Sequence, residues 1–330
     1  MFIVQFLAYQ PASRTASKSS ELERAIVEPD SGEHRKSQFD FLKLIGKASE
    51  CDFRRTVLVA IFSSPDNFLL RTAIRNTFGS VLPIKFFLGR CLVTEEGGAR
   101  SCDARKLAAE FVQHKDIVVY DFVDTYHNLT LKTFSVLNFV EKCASSVKLL
   151  VKIDDDTFVN PIRLRDVLLE NRMFPSKNST SFRRIPSIFG HVQRRAKPYR
   201  NRSSKYYISE EEYSRKGFPP FAAGPLYFMN RAAADALHRT AKETSRHLKK
   251  RPLHLEDVYF TGFMAQIANV SLHHINGLDN AGLSKLPLPR YLVSRHFVRS
   301  PAKMLLCWRH ILGTKNPSMK ELRRDFSQFN

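Results

Sequence analysis

Carboxylates are the side chains of this 330-residue chain most evidently arranged for chemistry. The stretch "VKIDDDTFVN", Val151 to Asn160, closes an apolar run with Asp154, Asp155 and Asp156 and resumes at once with Phe and Val. Adjacent carboxylates repel one another unless water or a cation neutralises them. Oxygen ligation of this kind suits Mg2+ or Mn2+, which commonly bridge to substrate phosphates. These acids sit in a basic chain, with 52 Lys and Arg against 32 Asp and Glu and a formal charge of +20. A cation on the triplet would hold a phosphate-bearing ligand, and nearby basic residues such as Lys152 would balance the remaining charge. For a lone triplet, an acidic turn capping the helix of "PIRLRDVLL" is the plainer explanation.

Three further stretches carry polar residues of interest. In "HLEDVYFTGF", Glu256 and Asp257 are flanked by apolar residues; a carboxylate there serves as general base if it lies within about 3 Å of the hydroxyl it deprotonates, or simply caps the helix through Phe260 and Phe263. In "LLRTAIRNTFG", Arg71 and Arg75 are four apart and share a helix face, where such a pair clamps a pyrophosphate, orders an acidic loop, or stays solvated. "DFVDTYHNLTLKT", Asp121 to Thr133, mixes Asp, Tyr, Asn, Thr and Lys132 in a polar turn. The five cysteines contain no CxxC pair, which argues against a zinc ribbon or thioredoxin-type site.

The elements that must position these residues read as an alternation. "TVLVAIFSS", "LPIKFFLG", "DIVVYDF" and "VKLLVKID" are strands, and the helices between them are "NFLLRTAIRNTFG", ending at Gly79, "CDARKLAAEFVQHK" and "LKTFSVLNFVEKCASS". Strands and helices alternating at this spacing imply right-handed crossovers and a parallel sheet covered on both faces. Ligands bind beyond the carboxyl ends of such strands, which is where the aspartates fall. After Asn160 the alternation weakens: 172–220 reads as a Ser-, Arg- and Pro-rich connection, followed by a short strand "FAAGPLYFMN" and a helix from Arg231. Residues 1–50 read as a poorly packed stem, and 51–330 as one α/β domain whose second half, 161–330, supplies loops over the strand ends of the first, 51–160.

Taken together and in order, "RTAIRNTF", "DFVDTYHNLTLKT", "VKIDDDTFVN", "FPPFAAGPLYFMN" and "LEDVYFTGF" resemble the blocks of the β-1,3-galactosyltransferase-like family, glycosyltransferase family 31. The resemblance spans roughly Thr56 to Trp308 and is most specific in the second and third blocks. It implies a GT-A fold, Mn2+ (or Mg2+), a UDP-galactose or UDP-N-acetylhexosamine donor, and inverting β-1,3 transfer to an oligosaccharide, glycolipid or proteoglycan. Carried onto this chain, Asp154 and Asp155 contact the donor, and Asp156 is the best metal ligand with Asp154 beside it. Asp257 is the base, while Arg71, Arg75, Lys132 and Lys152 line the donor side. Phe221, Gly224 and Glu256 belong to the acceptor side. The ending "VSRHFVRSPAKMLLCW" favours His296 as the last metal ligand, with His273 and His274 as rivals.

Departures from the family pattern fall mainly on the acceptor block, where "FPPFAAGPLY" lacks two tyrosines and carries Pro225; Phe78 stands where Trp is usual. The basic excess hints at an anionic acceptor. No nucleic-acid-binding motif accompanies it, and the basic clusters at Arg183–Arg202 and Arg246–Arg251 read first as solvated faces. The family implies a lumenal domain at the Golgi membrane; the apolar stretch "MFIVQFLAYQP" is shorter than a membrane span. Four sequons, at Asn128, Asn178, Asn201 and Asn269, favour a secretory lumen weakly, and there Cys91 and Cys102 would be close enough to pair. The competing readings are a metal-dependent phosphoesterase or nuclease, and a catalytically silent carbohydrate-binding member of the fold.

Overall fold

The computed structural model describes residues 44–45, 51, 53–91, 102–171, 173, 185–247, 252–313 and 318–327. Most of the stem expected over 1–50, and the sequon at Asn178, lie outside these residues. The central element is β2 (Val57–Phe62), six consecutive buried residues that satisfy the requirement of a strand covered on both faces. It pairs in parallel with β3 (Ile84–Arg90) and β5 (Leu149–Asp154), and β3 pairs in parallel with β4 (Ile117–Val123). An edge strand β1 (Leu44–Ile45) joins β4 antiparallel, so the expected stem contributes to the sheet.

On the other side of β5 the direction reverses. β8 (Phe221–Asn230) runs antiparallel to both β5 and β7 (Ser187–Gln193), and β9 (Ser271–His274) closes that edge parallel to β7. The eight strands follow the order β1-β4-β3-β2-β5-β8-β7-β9, a mostly parallel sheet of the kind expected. Two expectations need correction here: 172–220 contains β7, and "FAAGPLYFMN" is a ten-residue interior strand.

Both faces carry helices. One face buries side chains of α1 (Phe68–Arg75), α2 (Ala104–His114), α4 (Pro161–Glu170) and α6 (Pro301–Leu312), to which α7 (Met319–Ser327) adds Leu322 and Phe326. The other buries α3 (Leu129–Cys143), with Phe134, Leu137 and Val140 in the core, and the alanine-rich α5 (Arg231–His247). The helix expected through Phe260 and Phe263 exists as a π-helix, Val258–Met264. The helix expected to run to Gly79 ends at Arg75, where a 3-10 turn takes over.

A second, three-stranded sheet lies at the carboxyl end of β5. β6 (Phe158–Val159) follows the aspartates directly and pairs with β11 (Ser294–Arg295), which pairs in turn with β10 (Leu278–Asp279). The three strands bring residues to the same place, because His296 directly follows β11, Asn280 directly follows β10, and Asp156 lies two residues before β6. Two disulfides, Cys51–Cys143 and Cys91–Cys102, tie the amino-terminal half, and Cys307 is free and buried. Among the described residues no helix is long and apolar enough to cross a membrane.

Candidate active site

Beyond the carboxyl ends of β2, β4 and β5 opens a cleft of about 790 Å3, lined by Ser63, Asp124, the aspartate triplet and Asp257 among others. Asp154 is the last residue of β5, so pleating sends its side chain to the same face as Lys152. There Lys152 Nζ donates to Asp154 Oδ1 (2.6 Å) and to the Gly224 carbonyl (2.6 Å), and lies 2.9 Å from Glu256 Oε1. Burial alone would lower the pKa of this ammonium; the Asp154 and Glu256 carboxylates overcome it and hold it above the ordinary lysine value. Lys152 is therefore a fixed positive charge that couples the triplet to the "EDV" segment.

Asp156 turns the other way. Its Oδ1 lies 3.2 Å from His296 Nε2 and its Oδ2 accepts from Arg299 Nε at 3.2 Å. His296 Nδ1 lies 3.0 Å from the Asn280 carbonyl, which can only accept, so Nδ1 carries the proton. The Nε2 lone pair of a neutral ring then faces a carboxylate oxygen, and two electron-rich atoms at this distance need a proton or a metal ion between them. Ligand atoms of Asp154, Asp156 and His296 all lie within 4.8 Å of one another. This two-carboxylate, one-imidazole donor set fits a divalent cation such as Mn2+. Phe297, at φ 62°, occupies the left-handed region and stacks on the His296 ring (centroids 3.8 Å apart), a locally strained backbone that sets the angle of the imidazole. His273 and His274, the rivals, sit on β9 away from the triplet; His273 stacks on Phe189, and His274 Nδ1 accepts from Val192 N–H.

Asp155 differs from its neighbours. Burial pushes its pKa up to about 6, even though its Oδ2 accepts from Asn67 Nδ2 at 2.8 Å.

Asp257 stands at the start of the π-helix. Its Oδ2 accepts from Gly224 N–H (2.9 Å) and its Oδ1 from Val258 N–H (2.8 Å), leaving each oxygen a further lone pair. Burial, and then the negative charge of Glu256, push its pKa up to about 7 against the pull of Lys152 and the two amides. A carboxylate with that pKa in a cleft has the property a general base requires near neutral pH. Glu256 itself is buried and engaged: its Oε2 accepts from Thr133 Oγ1 (2.9 Å) and Tyr227 Oη (3.3 Å).

These geometries relocate several of the expected roles. Arg71 and Arg75 do not line the cleft. Arg71 is fully buried, donates to Glu110 through Nε and Nη2, and binds Ser63 Oγ and the Ser64 and Pro65 carbonyls. Arg75 is paired with Glu110 and Asp116. Arg71 thus orders the loop after β2, and Arg75 ties α1 to α2 and to the turn before β4; neither clamps a pyrophosphate. Lys132 does reach the cleft wall, but its Nζ is already committed to Asp124 Oδ1 (2.7 Å) and the Ser63 carbonyl (2.8 Å). Gly224 contributes its backbone to Asp257 and Lys152, and an added Cβ would meet Asp257 Oδ2 and Glu256 Oε1 at 3.3 Å. Glu256 and Phe221 both line the cleft, Glu256 as a buried carboxylate whose oxygens are already taken by Lys152, Thr133 and Tyr227.

Comparison with known proteins decides the family. The family model described as galactosyltransferase matches residues 71–276, more than half of the chain. Mouse β-1,3-galactosyltransferase 1 is 33% identical over 285 residues, covering 84% of this chain and 80% of that protein. The chain belongs to the galactosyltransferase family. Mouse β-1,3-galactosyltransferase 4 is 30% identical, covering 78% of this chain and 72% of the relative. A zebrafish lactosylceramide 1,3-N-acetyl-β-D-glucosaminyltransferase B is also 30% identical, covering 69% and 58% respectively. As a member of this family the chain is a hexosyltransferase.

Family membership leaves several residues of the cleft that sequence reading passed over. Asn280 fixes the His296 tautomer, and Arg299 pairs with Asp156, yet both stand in a stretch without periodic pattern. Asn67 and Ser63 reach the triplet from the β2–α1 turn. Tyr199, Lys205 and Tyr206 line the cleft from within 194–217, which carries no recognisable element. The only sequence signal for them is the density of Tyr and basic residues there.

Proposed function

We propose that this protein transfers galactose or an N-acetylhexosamine from its UDP conjugate to the 3-hydroxyl of a glycan, inverting the anomeric centre, with Mn2+ held by Asp154, Asp156 and His296. The observation that carries the reading is the fixed chain Asp257–Glu256–Lys152–Asp154. It joins a carboxylate of pKa about 7 to the cluster of donor atoms suited to a cation. A divalent ion bound there would act as a Lewis acid against the negative charge that grows on departing UDP.

The chain's own residues supply the rest. Asp257 takes the proton from the acceptor 3-hydroxyl while that oxygen attacks the anomeric carbon from the face opposite UDP. The new glycosidic bond forms as the bond to the UDP oxygen breaks, so an α-linked donor gives a β-glycoside and no enzyme nucleophile is needed. The amides of Gly224 and Val258 keep the Asp257 carboxylate aimed throughout, and Lys152 holds the Asp154 carboxylate in place through a 2.6 Å hydrogen bond. A compartment that maintains disulfides suits the two cystines, which supports placement in the Golgi lumen as the family implies. Two-metal phosphoester chemistry requires a second ligand cluster, whereas the described residues hold a single cluster, Asp154, Asp156 and His296.

The test is a donor panel of UDP-galactose, UDP-N-acetylglucosamine and UDP-N-acetylgalactosamine, each with Mn2+ and with chelator, on the wild type and Asp156→Ala. The proposal expects one donor to dominate, turnover to stop with chelator, and Asp156→Ala to fall to background. Mn2+-supported turnover of no UDP-sugar, or turnover indifferent to chelator, would overturn it.

A further inference from the structure

Part of the cleft lining is left unused by the donor chemistry. Tyr126, from the turn after β4, and Tyr199 and Tyr206, from the 194–217 loop, form one aromatic surface: Tyr199 and Tyr206 have ring centroids 5.6 Å apart, and Tyr126 and Tyr206 6.3 Å. This surface is open, with Tyr199 57% and Tyr126 36% exposed. Lys205 Nζ sits 4.8 Å from the Tyr206 centroid and 5.5 Å from that of Tyr126, and Lys197 lines the same cleft. Among the described residues neither ammonium has a carboxylate partner. Lys152 and Lys132, in contrast, are buried and already paired with acids of the cleft.

The loop that presents these groups is rigidly tied. Arg200 Nη1 donates to the Ile208 carbonyl (2.8 Å) and its Nη2 to that of Tyr213 (2.6 Å); Ile208 N–H donates to Tyr199 and Phe218 N–H to Ala196. The wall continues from the loop through Phe218, edge-on to Phe221, and so along β8 to Gly224, which holds Asp257. A preorganised aromatic wall on the β8 side of the base has the chemistry to receive a pyranose, whose C–H face is apolar. Unpaired lysines above that wall attract an anion.

We propose that this wall selects an anionic acceptor, a glycan whose carboxylate or sulfate group meets Lys197 and Lys205 while its ring lies against Tyr126, Tyr199 and Tyr206. The proposal rests on the transferase reading above. The acidic floor around Asp257 repels an anion, so the charged group belongs on a part of the acceptor held outward from the attacking hydroxyl.

Matched neutral, uronate-bearing and sulfated disaccharide acceptors, assayed with the wild type, Lys197→Gln/Lys205→Gln and Tyr206→Ala, test it, with UDP release in the absence of acceptor read alongside. The wild type should prefer at least one anionic acceptor by about 10-fold in kcat/KM, a preference that weakens with added salt. The double lysine variant should bring the ratio close to one, and Tyr206→Ala should raise KM for all three acceptors with little change in kcat. Which anionic acceptor is preferred identifies the group recognised. A wild-type ratio near one, a ratio unmoved in the double variant, or an unchanged KM in Tyr206→Ala overturns this inference while leaving the transferase reading intact. Absence of any UDP release or transfer by the wild type overturns both.

Discussion

Burial, and then the charge of Glu256, raise the proton affinity of Asp257, while two backbone amides that pull the other way fix its aim. The base must be ionised to act. A carboxyl with a pKa pushed up to about 7 makes kcat/KM of the free enzyme rise with pH through that value and fall about tenfold per unit below it. A pH profile on the UDP-sugar assay checks this; an acid limb near 4 would show an ordinary carboxylate at work. Gly224→Ala tests the aim instead. Its Cβ would meet both acids at 3.3 Å, and a base displaced by a fraction of an ångström should lose roughly 10-fold or more in kcat with donor affinity kept, read by steady-state kinetics. At this scale the sequence was most legible for acids at strand and helix ends. The triplet and Asp257 were singled out by residue type and place, and Lys152 and Gly224 by the blocks that hold them, whereas Asn280 and the particular contacts that tune the acids were not. Lys152, Gly224 and Asn280 act through contacts made across the sheet or from another segment, and no local pattern marks such contacts.

The elements show why the donor-side arginines were misplaced. "RTAIRNTF" was read as a helix offering Arg71 and Arg75 to a ligand, but α1 turns Arg71 inward, where Glu110 of α2 and the carbonyls after β2 take up its donors. A helix face is readable from spacing; whether a basic face meets solvent or a buried acid from a helix some forty residues on is not. Removing a buried, fully engaged guanidinium leaves Glu110 and two carbonyls short of partners. Arg71→Ala should cost about 3–5 kcal/mol in urea unfolding. Arg71→Lys should recover little of that, because a point charge cannot reproduce the forked contacts. Strand recognition failed at "SIFGHVQ", which lies inside the Ser-, Arg- and Pro-rich connection and is interrupted by Gly190. That glycine is needed where β7 presses on β8, since a Cβ there would stand 3.1 Å from those of Ala222 and Tyr227. The three two-residue strands that bring His296 and Asn280 to the triplet are too brief for periodicity to register.

Across the whole molecule, alternating strands and helices from Thr56 to Asn160 carried enough information for the parallel half of the sheet and the location of its cleft. The antiparallel half, β8 with β7, closes that cleft from the other side and carries Gly224, with the aromatic wall on its flanking loop. The Cys51–Cys143 disulfide pins the chain entering β2 to the end of α3, across a separation of 92 residues. Replacing both with Ser should lower stability by about 2–5 kcal/mol in a denaturant titration while leaving the cleft residues in place. The central claim is that Asp257 activates the acceptor while a separate cluster holds the donor. It is tested most directly by Asp257→Asn, with UDP-sugar affinity and transfer rate measured on the same preparation. The account predicts a donor Kd within about twofold of wild type and transfer slowed by roughly 10²–10⁴-fold; transfer at the wild-type rate would contradict it.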